Sequence, residues 1–150
     1  MSNMYTVSFT EVAVTAKQDL FQIGAVTNNV TIHHIVFGQT SDVGDAEAES
    51  RSVLLSRVTD AITDGTAEVK LDPSDGAALA NLNVNQTTQK ITGIENAHSE
   101  SWNIAQPFIW LPPPELRIKI RPGNAFVVSL NVAPNDSLTM SGTIYFEESG

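Results

Sequence analysis

Three consecutive segments in the last third of the chain, Glu115 to Ile120, Ala125 to Val132 and Ser137 to Phe146, carry apolar residues at every second position. A period of two sends successive side chains to opposite faces, which is the signature of an extended strand with one dry face and one wet face. Pro122-Gly123-Asn124 and Pro134-Asn135-Asp136 interrupt the pattern with turn formers, so the strands run back and forth. The fold class that follows is antiparallel all-β. The alternation names no chemistry.

The rest of the chain extends this reading. Tyr5, Val7 and Phe9 alternate in one phase and Val12, Val14 and Ala16 in the other, so the first strand needs a bulge or a corner near Thr10-Glu11. Asp19 to Ala25 reads as a second strand and Thr27-Asn28-Asn29 as a turn. Asn29 to Thr40 is apolar in both phases, as expected of a central strand covered on both faces. Ser41 to Ser50 is an acidic loop, with a short helix from Asp45 as the competing reading, and strand character resumes from Arg51 to Thr63.

From about residue 64 to 101 the signal thins to a turn at Asp72 to Gly76 and one helical turn over Gly76 to Leu82, which predicts a long irregular excursion outside the sheets. Trp102 to Leu111 is the most aromatic stretch, and Pro112-Pro113-Pro114 stops pairing after it by removing three donors. The sum is a single domain over residues 1–150, an antiparallel two-sheet sandwich of jelly-roll type with roughly eight strands.

Composition narrows the function classes. Eight basic residues against seventeen acidic ones give a net charge of −9, which opposes a nucleic-acid partner, because phosphate neutralisation needs a clustered basic face. No apolar run approaches the roughly 18 residues of a membrane span, so a soluble chain is expected. The N-terminal segment has neither a basic stretch nor a small-residue cleavage site, and no secretory signal is expected. Without cysteine, stability must come from packing, hydrogen bonds or oligomerisation.

No catalytic, cofactor or metal site is assigned. His33 and His34 are adjacent, so on a regular strand they face opposite ways and cannot share an ion, and His98 is the remaining histidine. Asp42, Asp45, Glu47 and Glu49 lack the ligand spacing of a calcium loop and read as a solvated loop. Asp72 and Asp75 read as turn residues. No serine sits in a Gly-x-Ser-x-Gly elbow, and no glycine-rich phosphate loop is present. The triplets at Asn29, Asn85 and Asn135 read as chance matches to the glycosylation pattern.

The candidates that remain are surfaces. Trp102, Phe108, Ile109, Trp110 and Leu111 are candidates for a protein interface, with sugar stacking and plain core packing as the alternatives. Trp102 and Trp110 lie an even number of positions apart and share a face if the strand is unbroken, which Pro107 opposes. Arg117, Lys119 and Arg121 form the one basic cluster, on the strand face opposite Leu116, Ile118 and Ile120. That face reads as solvated, with a subunit or acidic-partner contact as the alternative.

Three stretches, Met4 to Phe21, His34 to Asp45 and Pro114 to Glu148, resemble the capsid decoration, or cement, proteins of tailed bacteriophages. The resemblance implies a jelly-roll homotrimer assembled in the host cytoplasm. It would bind the major capsid protein on the outside of an icosahedral head, as a structural virion protein rather than an enzyme. A carbohydrate- or receptor-binding sandwich is the alternative, and a metalloenzyme of the double-stranded β-helix type is the third reading.

Overall fold

The computed structural model describes residues 2–40, 50–135 and 137–149. Among these described residues eleven strands follow in chain order: β1 (Ser2–Val14), β2 (Asp19–Gly24), β3 (Asn29–Gln39), β4 (Ser50–Val58), β5 (Val69–Lys70), β6 (Asn81–Gln86), β7 (Glu95–Asn103), β8 (Phe108–Trp110), β9 (Lys119–Ile120), β10 (Ala125–Leu130) and β11 (Leu138–Ser149). They form two antiparallel sheets, one ordered β5-β1-β11-β3-β8 with β9 also on β3, the other β6-β2-β10-β4-β7. The all-β reading holds, in a sandwich.

Alternation sets the inner faces. Along β11, Leu138, Met140, Ile144 and Phe146 are buried while their odd-numbered neighbours are only partly so. Aromatic pairs join the sheets across the core: Phe9 meets Phe21 with ring centroids 5.1 Å apart, and Phe37 meets the edge of Trp102 at 5.0 Å. Strand β10 is buried at all six positions. Its outer side chains Ala125 and Val127 pack with Val58 and with Ile62, which lies over Gly24 at a distance that a Cβ there would reduce to 3.0 Å.

The bulge expected in β1 is present. Its pairing with β11 shifts between Phe9 and Val12, Glu11 takes φ 49°, and its N–H donates to Ser141 Oγ at 2.9 Å. The turn at Arg121 to Asn124 also forms as read, with Gly123 at φ 91° and Asn124 N–H donating to Arg121 O.

Four expectations are corrected. Strand β3 is apolar in both phases because it carries a bulge, not because both faces are covered. Tyr145 pairs with His34 and Phe146 with Ile32, so His33 is the extra residue and the buried set steps from Ile32 to Ile35. The excursion between 64 and 101 contains β6 and β7, edge strands whose polar sequences hide them from hydrophobic periodicity, and with β5 and β9 the strand number rises above eight. Gly76 to Leu82 forms no helical turn, and β6 begins at Asn81. Glu115 to Ile120 is a 3₁₀ turn at Pro114–Leu116 followed by the two-residue β9, because proline at the first position of a helical turn favours that start. The acidic segment 41–49, with Asp42, Asp45, Glu47 and Glu49, lies outside the described residues.

Candidate interaction surface

Strands β7 and β8 form the same open edge of the sandwich, one from each sheet, and the chain between and after them decides what that edge presents. Strand β8 alternates: Phe108 and Trp110 are buried and Ile109 is exposed. Trp102 is the penultimate residue of β7 and Trp110 lies on β8, so the two rings belong to different sheets and the shared strand face does not exist. Both are core residues, with Trp102 donating its indole N–H to Gln106 O at 2.6 Å and stacking edge-on with Phe37. Phe108 stacks on Phe37 at 4.7 Å. Of the aromatic candidates, Trp102, Phe108 and Trp110 therefore place their area inside the chain.

What faces outward here is aliphatic. Ile109, Leu111 and Leu116 are 57 %, 67 % and 66 % exposed. They border a hollow of about 360 Å³ completed by His98, Trp110 and Ile118. Pro113 is extended (φ −63°, ψ 160°), so the proline run between Leu111 and Leu116 is a stiff strut. Leu116 was expected on the dry face, and the 3₁₀ turn carries it out instead. The proline triplet just before it was the signal available in the sequence.

Beside this ledge lies a polar groove of about 420 Å³ lined by Thr31, Arg117, Lys119, Arg121, Glu147 and Ser149. The three cations of the basic cluster thus do come together. Glu147 is engaged by His33, whose Nε2 lies 3.3 Å from Oε1. Among the described residues no carboxylate pairs with Arg117, Lys119 or Arg121, and Arg117 Nε is buried without a partner. An unpaired cation cluster on a chain of charge −9 is an electrostatic asymmetry with a direction.

The β3 bulge puts His33 and His34 on the same outer face, against the reading from adjacency. His33 meets Glu147 and His34 stacks on Tyr145 at 5.2 Å. His98 lies 3.0 Å from Glu100. Among the described residues no three His, Asp or Glu side chains gather in a metal-binding arrangement.

Two buried carboxylates tie the fold together. Asp19 accepts from Gln22 Nε2 at 2.8 Å, Ser129 Oγ at 2.8 Å and Lys90 N–H at 2.9 Å, joining β2, β10 and the β6–β7 connection. Burial nonetheless raises its pKa, because desolvation outweighs the three donors. Glu148 accepts from the N–H groups of Leu79 and Ala80. Asp72 is held below the ordinary carboxylate value by Ser74, whose N–H and hydroxyl both donate to it within the turn, as read from the sequence. Asp60 is likewise held low, by Thr92.

No protein-family model, curated protein or solved structure matches this chain. The edge combines exposed aliphatic side chains, a stiff polyproline strut and three cations that, among the described residues, meet no carboxylate within ion-pair distance.

Proposed function

We propose that the chain is a structural virion protein of the capsid decoration type, which works as a homotrimer on the outer surface of an icosahedral phage head and bridges major capsid subunits. The observation that carries this reading is the edge where Ile109, Leu111 and Leu116 stand exposed around the proline strut beside Arg117, Lys119 and Arg121. Contiguous exposed apolar side chains mark contact surfaces, and here Ile109 lies in β8, Leu111 directly follows it and Leu116 closes the 3₁₀ turn after the proline strut.

Topology supports it too. Without β5, β6 and β9, the sheets read β1-β11-β3-β8 and β2-β10-β4-β7, an order that matches a jelly roll, with β5 and β6 added at one side. A trimer of such domains straddling several shell subunits engages its second and third contacts at high effective concentration, so weak individual contacts add to firm retention. Load from packaged DNA is then spread across subunit seams. The sugar-binding alternative asked Trp102 or Trp110 to offer an open ring, and both are buried.

Co-sedimentation with undecorated phage heads, combined with light scattering on the free protein, tests the proposal. Saturable binding by a trimer is expected. A monomer that binds glycans and leaves the heads bare would overturn it.

A further inference from the structure

The sandwich has a second exposed edge, and it is the counterpart of the first. On the β5 side, Val69, Leu71 and Leu79 are each more than half exposed, matching in number the three aliphatic residues of the β8–β9 edge. The stretch from Asp64 to Asp75 also carries Asp64, Glu68, Asp72 and Asp75 against Lys70 alone. Residues 114–121 of the first edge carry Arg117, Lys119 and Arg121 against Glu115, so that segment is apolar and net cationic; the other is apolar and net anionic.

Their heights agree as well. Leu71 N–H donates to Met4 O at 3.1 Å, Met4 pairs with Glu147, Glu147 with Thr31, and Thr31 with Lys119. The acidic turn after β5 and the basic strand β9 therefore stand at opposite ends of one row across the first sheet. Among the described residues both strands pair on one side only, β5 with β1 and β9 with β3. Tyr5 Oη donates to Gly76 O at 2.9 Å and Asp72 caps its own turn, so the acidic edge is held in place before any partner arrives.

From these relations we infer that copies of this chain associate head to tail, the β8–β9 edge of one seated against the β5 edge of the next. The contact is heterologous, joining two different patches, and it closes into a ring when its rotation does. Opposite charge sets the order: like edges repel, and unlike edges bring Arg117, Lys119 and Arg121 to the carboxylates of Asp72 and Asp75. The inference rests on the trimer proposed above and names the surfaces that form it.

Two multiple variants test it. The first removes the basic edge (Leu111→Ser, Lys119→Glu, Arg121→Glu) and the second the acidic edge (Leu71→Ser, Asp75→Lys); all five side chains lie outside the core. Circular dichroism and melting curves establish that each folds, and charge-only versions replace any that does not. Light scattering is expected to find the wild type associated, each variant monomeric, and their equimolar mixture a one-to-one dimer and nothing larger, because one sound contact survives. Added salt should shift the wild type toward monomer. A monomeric wild type, a variant that still assembles, or a mixture that stays monomeric would overturn the inference. Binding to phage heads is scored separately. A ring that leaves heads bare counts against the decoration reading alone, and a monomer that saturates them counts against the ring and the trimer but not against decoration.

Discussion

Glu148, one position before the end of β11, accepts the backbone N–H of Ala80 at 2.8 Å and that of Leu79 at 2.9 Å, sixty-eight and sixty-nine residues earlier in the chain. Two amides that lead into β6 are thereby satisfied by one buried carboxylate. Replacing Glu148 by Ala strands both donors, and a loss of about 2–3 kcal/mol is expected in urea unfolding. Amide exchange localises the effect: Leu79 and Ala80 should exchange faster while the β10 amides stay protected. Uniform loss of protection would contradict a local tie.

Gly142 has no room for a side chain. A Cβ there would stand 2.7 Å from Phe37 Cβ and 3.0 Å from both Phe9 Cζ and Val36 O. Gly142→Ala should cost about 1–3 kcal/mol through overpacking. Gly38→Ala is the control, since its nearest neighbour would be Pro107 Cα at 3.8 Å, an ordinary contact. Equal melting temperatures for the two variants would refute the packing account.

Asp19 makes stability depend on pH in a definite sense. Burial raises its folded pKa above 3.8, so across the window between that value and the raised one the folded chain keeps a proton the unfolded chain has lost. Stability from this group therefore falls as pH rises through the window. Asp19→Asn cannot titrate. The stability difference, wild type minus variant, should be greatest below the window, shrink across it and level off above. A difference that grows with pH would reverse the assignment.

At the β1 bulge, Glu11 sits at φ 49°, where a side chain is tolerated only with strain. Glu11→Gly should stabilise by up to about 1 kcal/mol, and the β-branched Glu11→Val should destabilise by about 1–2 kcal/mol. Paired thermal melts read both signs. Two variants that melt together would remove the strain argument.

That bulge was legible because the apolar phase of β1 changes at Thr10-Glu11. The same mark stands in β3, where Val30 and Ile32 give way to Ile35 and Phe37, and it was obscured by reading apolar residues in both phases as double coverage. Strands β2, β10 and β11 were legible from alternation and turn formers. Strands β6 and β7 were not: NLNVNQ and ENAHSESWN hold their places by ladder hydrogen bonds at sheet edges, and backbone pairing leaves no trace in hydropathy. At the surface, the cation cluster could be read from strand spacing, whereas the exposure of Leu116 came from a helical turn that period-two counting conceals. Trp102 and Trp110 follow the core-packing alternative, which aromatic content alone could not select, since it does not say which side of a sheet a ring takes.

The placement of β11 between β1 and β3 has a temporal consequence. Its residues are translated after nearly everything they hold together, so a nascent chain emerging from the ribosome carries β1 and β3 with no strand to join them. Closure of the first sheet must wait for Leu138 onward to leave the exit tunnel, and a transcript cut short before that point yields two orphaned ladders instead of a smaller sandwich.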